Sequence, residues 1–282
     1  MPARHIAWRI RYVLEAVAIY LAAGLLAGFV SGLFGVGGAF TMAPALIIAL
    51  PLQGIADSQV MHLTVGTSLA VMAITSAYVT ALRLRAGDLH LPLMFRFVPF
   101  IAVGALGGAL IGDALPGIAL KIIFIGFVAL AIVRGLMNRH VVAGEISAEP
   151  ADLDGPRLWT HGTVTGVTGA LLGPGPAVII GPYLRAARYP MPVIAATCSA
   201  LAGLLGLAAT VGYIYGGVNE IGLPARSFGY LYLPAFTGLA IGALAGSPFG
   251  IRTSHKLADT LLHRLFIGYL GFILLVTLSQ LG

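Results

Sequence analysis

Gly28-x3-Gly32-x2-Gly35-Val36-Gly37-Gly38, followed by Pro44 and Leu46, interrupts an otherwise apolar stretch of the chain. About 138 positions later the interruption recurs as Gly166-x6-Gly173-Pro174-Gly175, followed by Pro182 and Leu184. A backbone that leaves helical geometry inside a bilayer must find hydrogen-bond partners in protein, water or a bound solute. Two such breaks at corresponding positions of two halves point to a transport site.

The surrounding composition puts these breaks in a membrane. The 282 residues are 59% hydrophobic and 9% charged, against about 25% charged in soluble domains. Mean hydropathy is +0.97. The net charge of +6 does not signal a nucleic-acid partner, because the Lys and Arg fall in short loops as topology determinants rather than on one solvated face. The lone Cys198 excludes an intrachain disulfide and a multi-cysteine metal cluster. No cofactor is expected. The run after Arg4–Arg11 resembles a signal peptide, but Glu15 sits early in it and it leads into the first glycine turn, so it is read as mature protein.

The duplication extends past the turns. Val65-Gly66-Thr67-Ser68-Leu69 corresponds to Ala195-Ala196-Thr197-Cys198-Ser199, and Gly104-x3-Gly108 to Gly238-x3-Gly242. Leu120-Lys121-Ile122-Ile123-Phe124-Ile125-Gly126 corresponds to Leu262-His263-Arg264-Leu265-Phe266-Ile267-Gly268. The polar stretch between the halves reads as a linker, giving a first membrane repeat over 1–140, a linker over 141–157 and a second repeat over 158–282.

Segments 62–82, 91–111, 120–137, 193–215, 230–247 and 262–281 are each about long enough to span. The segments flanking the glycine turns (39–50, 159–172 and 177–187) are shorter, and predict helical hairpins that return to the face they entered. Each half then crosses an odd number of times, so the second is inverted. The expected fold is an all-α polytopic membrane protein. It has two inverted-topology repeats, each a glycine-tipped short helical hairpin plus three spanning helices, about ten helical segments in all. Inversion places Arg4, Arg9, Arg11, Lys121 and Arg226 on one face and the other 11 Lys and Arg on the opposite, cytoplasmic face. A parallel duplication with cytoplasmic termini splits the charge less sharply.

Inverted repeats bring the two tips together near the midplane. Helices starting at Ala39 and Ala177 would point first-turn amides, with their partial positive charge, at an anion. Gly35, Val36, Gly37 and Gly38 at one tip, and Gly173, Gly175 and Ala177 at the other, are the backbone candidates; Pro174 and Pro176 supply no amide donor. Hydroxyls of Thr41, Thr67, Ser68, Thr197 and Ser199, with the thiol of Cys198, are the side-chain candidates, set against helix packing and back-bonding as their ordinary uses. Arg83 and Arg85 end a helix and serve either as interfacial anchors or as a vestibule that gathers anions. No Lys or Arg is expected deep within a span, and no buried carboxylate suggests a proton relay. The Gly104-x3-Gly108 face suits either an internal contact or a homodimer.

The segment from Gly28 to Leu46, the Gly66-Thr67-Ser68 block and the Arg83-x-Arg85-x-Gly87-Asp88 loop resemble the sulfite exporter TauE/SafE family of membrane permeases. The resemblance covers nearly the whole chain. It implies a transporter of small sulfur-containing or organic anions such as sulfite or sulfoacetate, integral to a bacterial inner membrane. The second half departs from the pattern at Pro174, Pro176 and Ala196-Thr197-Cys198. The expected function is a secondary carrier, an exporter working by alternating access, with an anion channel using the tips as a static filter as the alternative. An enzyme is not expected: no nucleotide-binding Gly-Lys-Ser/Thr, His-Glu-x2-His or cysteine-pair motif occurs.

Overall fold

The computed structural model describes residues 2–137, 153 and 156–279. Ten α-helices follow one another: α1 (Pro2–Phe34), α2 (Ala39–Leu52), α3 (Asp57–Arg85), α4 (Leu91–Ala114), α5 (Gly117–Met137), α6 (Pro156–Leu172), α7 (Ile180–Ala186), α8 (Met191–Gly217), α9 (Leu233–Ser254) and α10 (Asp259–Leu278). A 3-10 turn, Pro176–Val178, precedes α7, and a two-stranded hairpin pairs Ser227–Phe228 with Leu231–Tyr232. Most of the expected linker, 141–157, lies outside the described residues.

Among the described residues six helices are long and apolar enough to cross a membrane: Val17–Phe34 of α1, then α3, α4, α5, Pro192–Gly217 of α8, and α9. The chain is an all-α polytopic membrane protein. Two details differ from expectation. The first arm of the opening hairpin is not short, since 18 apolar residues of α1 precede the break. The returning arm of the second hairpin is shorter than 177–187, because the 3-10 turn takes Pro176–Val178 and leaves α7 only seven residues. Val178 and Ile179 donate to the carbonyls three residues back, Gly175 and Pro176, which is the tighter bonding of a 3-10 turn.

Helix direction follows from which backbones meet at glycine. A Cβ added to Gly203 of α8 would meet Ala77 and Ser76 of α3, while one added to Gly206 would meet Ala73 and Leu69. Rising numbers on α8 meet falling numbers on α3, so these corresponding helices of the two halves pack antiparallel. That is the signature of inverted repeats. Three glycines of α1, Gly24, Gly28 and Gly32, touch the carbonyls of Leu239, Ala243 and Ser247 in turn, so α1 and α9 run parallel. Their counterparts behave alike: Gly104 and Gly108 of α4 meet the Thr163 and Val167 carbonyls of α6. The opening helix of each half is thus packed on the fourth helix of the other. Small residues permit backbone-to-backbone approach where lipid provides no hydrophobic driving force between helices.

These contacts also settle depth. α3 and α8 have 61% of their apolar windows buried within the protein, against 22% for α5, so they form the centre and α5 lies at the periphery. We call the face where α3 begins the first face and the one where it ends the second. The end of α2 returns to the first face, where Gln53 Nε2 donates to the Tyr20 hydroxyl and Gln53 Oε1 accepts from Tyr232. α7 returns to the second face, where Tyr183 stacks on His161 near the start of α6, ring centroids 4.3 Å apart. Each hairpin leaves on the face it entered, and the two enter from opposite faces. Gly104 and Gly108 are occupied by α6, so this pair serves an internal contact.

Candidate transport site

Both arms end in the same way. Gly35 adopts φ 71° and donates to the Ser31 carbonyl at 2.8 Å; Gly173 adopts φ 82° and donates to the Gly169 carbonyl at 2.8 Å. Left-handed geometry at a helix C-terminus is where glycine replaces any other residue at lowest cost. Gly37 and Gly38 extend the turn at φ 85° and 80°. α2 then starts with Gly38 as its N-cap and without a side-chain cap; Thr41 N donates back to the Gly38 carbonyl, which leaves the Ala39 and Phe40 amides for another acceptor.

The two turns meet. A Cβ on Gly175 would lie 1.8 Å from the Val36 carbonyl oxygen, and one on Gly173 would lie 3.4 Å from the Ala39 Cβ. Gly37 sits against Met72 and Ala202, about half-way along α3 and α8, so the meeting point is at mid-depth. The second turn offers fewer donors. Gly173 is committed to Gly169, while Val178 and Ile179 donate to the carbonyls of Gly175 and Pro176. Ala177 lies within the 3-10 turn rather than starting an α-helix.

Hydroxyl partners separate the side-chain candidates. Thr41 is hydrogen-bonded to the Tyr269 hydroxyl, Thr67 Oγ1 accepts from the Tyr232 amide at 3.0 Å, and Ser199 Oγ donates to the Ala195 carbonyl at 2.7 Å. Ser68 and Thr197 are buried, and their hydroxyls have no partner among the described residues. Ser68 lies one turn from Met72, and Cys198 one turn from Ala202, on the helix faces that carry Gly37's contacts. Cys198 is buried.

Arg83 lies in the last turn of α3, at a helix end as expected, but it is buried within the protein. It is 1% exposed, and its Nη2 donates to the Gly32 carbonyl at 3.0 Å, capping the end of α1. Nη1 stands 3.7 Å from Asp88 Oδ2. The turn after α3 sets this pair: Asp88 N donates to the Arg83 carbonyl and Gly87 N to the Leu84 carbonyl, with Gly87 at φ 80°. This is the Schellman pattern. Arg85, two residues on, is exposed.

The profile of the sulfite exporter TauE/SafE family matches residues 20–277, both halves and both glycine turns included. The chain belongs to this family. Two curated relatives are similar along almost their whole length. A probable membrane transporter protein of Haemophilus influenzae is 25% identical over 94% of this chain and 97% of its own. Another of Methanocaldococcus jannaschii is 26% identical over 88% of this chain and 90% of its own. No solved structure matches significantly. Family and relatives together make this TauE/SafE protein an integral membrane transporter.

Three neighbours of the turns escaped sequence reasoning. Ser31, buried and without a hydroxyl partner among the described residues, lies beside Gly38. It stands inside the first glycine stretch, four residues before Gly35, and that position was its signal. Met72 and Tyr269 carried no signal, because they reach the site from helices whose packing no local pattern encodes. Arg83 was visible, with Arg85, from its place at the end of a helix.

Proposed function

We propose that this TauE/SafE protein is a secondary carrier of small sulfur-containing or organic anions, of the sulfite and sulfoacetate class, in a bacterial inner membrane. The anion binds where the two glycine turns meet, and the repeats rock to expose it to each face in turn. The observation that supports this reading is the contact of Gly175 with the Val36 carbonyl at mid-depth. Two hairpins from opposite faces end at one point, beside the Ala39 and Phe40 amides of α2, which no side chain caps, and the hydroxyls of Ser68 and Thr197, which have no partner among the described residues.

Amides and hydroxyls can hold an oxyanion without a full counter-charge at the same spot, so release remains easy. Backbone contact between the turns favours a moving carrier over a static filter, because a guest enters only if the turns separate. Export of an anion from a negative interior is favoured by about 2.3 kcal/mol per charge per 100 mV, and needs no coupling ion. Reconstituted protein should pass sulfite at a rate that follows membrane voltage. Flux indifferent to voltage and driven by a pH gradient would reject this mechanism.

A further inference from the structure

The Arg83–Asp88 pair is incomplete. A guanidinium presents five N–H donors in a planar fork that suits two oxygens on one atom. Here Nη2 is held by the Gly32 carbonyl, but the approach of Nη1 to Asp88 Oδ2, 3.7 Å, is too long for a hydrogen bond. Nε of Arg83 and Oδ2 of Asp88 are both buried and have no hydrogen-bond partner among the described residues. A buried charge is costly unless its pairing is close and its remaining donors are satisfied. Capping α1 accounts for Nη2, while Nη1 has only the long ion pair with Asp88 and Nε has no partner among the described residues.

We propose that Arg83 is the docking point for the anion on the second face, and that Asp88 is a resident carboxylate that occupies it between transport events. This rests on the anion-carrier reading. Three features carry it. Arg83 holds the carbonyl of Gly32, three residues before Gly35, so a docked anion waits within one turn of the first glycine break. Asp88 is 15% exposed, so its carboxylate can swing toward solvent while the Schellman turn keeps its backbone in place. An incoming oxyanion replaces one carboxylate by another negative group, so Arg83 is never left uncompensated. The ligand class is a small anion with two or more oxygens on one sulfur or carbon: sulfite, a sulfonate or a carboxylate.

The test measures binding of sulfoacetate and sulfite by thermal shift, and their flux in proteoliposomes, for the full chain and its variants. With the competitor removed, Asp88→Asn and Asp88→Ala should bind either anion more tightly, by about tenfold if one ion-pairing rival is lost. Arg83→Gln should weaken binding by a similar factor, and the tightening by Asp88→Asn should vanish in the Arg83→Gln background. Asp88→Glu, which keeps a carboxylate in reach, should bind as the wild type does and serves if the neutral variants do not fold. Unchanged or weaker binding by folded Asp88→Asn or Asp88→Ala, or markedly tighter binding by Asp88→Glu, overturns the docking role while leaving the carrier reading intact. Absence of any anion binding or flux in the wild type overturns both.

Discussion

Gly175 stands so close to Val36 that an added Cβ would fall 1.8 Å from the Val36 carbonyl oxygen. One residue belongs to a hairpin entering from the second face and the other to a hairpin entering from the first. Their contact joins the two repeats at mid-depth, and neither side of it can yield, since both are backbone.

Gly175→Ala should therefore destabilise the protein by about 1–3 kcal/mol, as overpacking does, and abolish transport. Gly126→Ala is the control, because nothing lies within 4 Å of that position. Melting in detergent and flux in proteoliposomes measure both. A Gly175→Ala protein with wild-type melting and flux would show that the turns do not need this approach.

Exchange of helices between halves predicts that neither half is stable alone. α1 needs α9, and α6 needs α4. Residues 1–140 expressed alone should be degraded or protease-sensitive, and co-expression with 141–282 should restore a resistant complex. Independent resistance of either half would contradict the interlocked packing.

The charge bias of the sequence predicts that the second face is cytoplasmic. In a Cys198→Ala background, cysteine in place of Ile221, which is exposed beyond α8, should react with an impermeant reagent from outside. Cysteine in place of Arg157, exposed in the first turn of α6, should react only after the membrane is opened. The reverse pattern would invert the orientation.

Tyr230, between α8 and α9, makes alkaline stability informative. Burial pushes its phenol up to about 12, and the charges of Glu220 and Asp113 add to the rise. The unfolded chain ionises near 10. Its contribution is therefore fully present below pH 10 and is lost as pH climbs toward 12. Tyr230→Phe should flatten the fall in melting temperature across that window, and an unaltered slope would show that the phenol is not held neutral.

Much of this was legible in the sequence because a glycine break inside an apolar run has few physical explanations. The helical class, the hairpins and the inversion follow from segment lengths and the repeated turns. The positions of Thr67 and Ser199 were legible too, but not their hydrogen bonds to Tyr232 and Ala195, which depend on how a loop and a helix fold back. Arg83 was read as a helix-end residue, which it is. That α1 ends beside it and buries it depends on packing between distant segments, which no local spacing records. The 3-10 turn at Pro176–Val178 was foreshadowed by its prolines, although its length was not.

The central claim is that an anion binds where the two glycine turns meet. Selenite, a heavier analogue of sulfite, allows a direct measurement: the anomalous scattering of selenium in crystals of protein prepared with ordinary methionine. The account predicts a peak between the Gly35–Gly38 and Gly173–Gly175 turns, displaced by sulfite and accompanied by separation of Gly175 from the Val36 carbonyl. A peak elsewhere in the bundle, in protein shown to transport selenite, would contradict it.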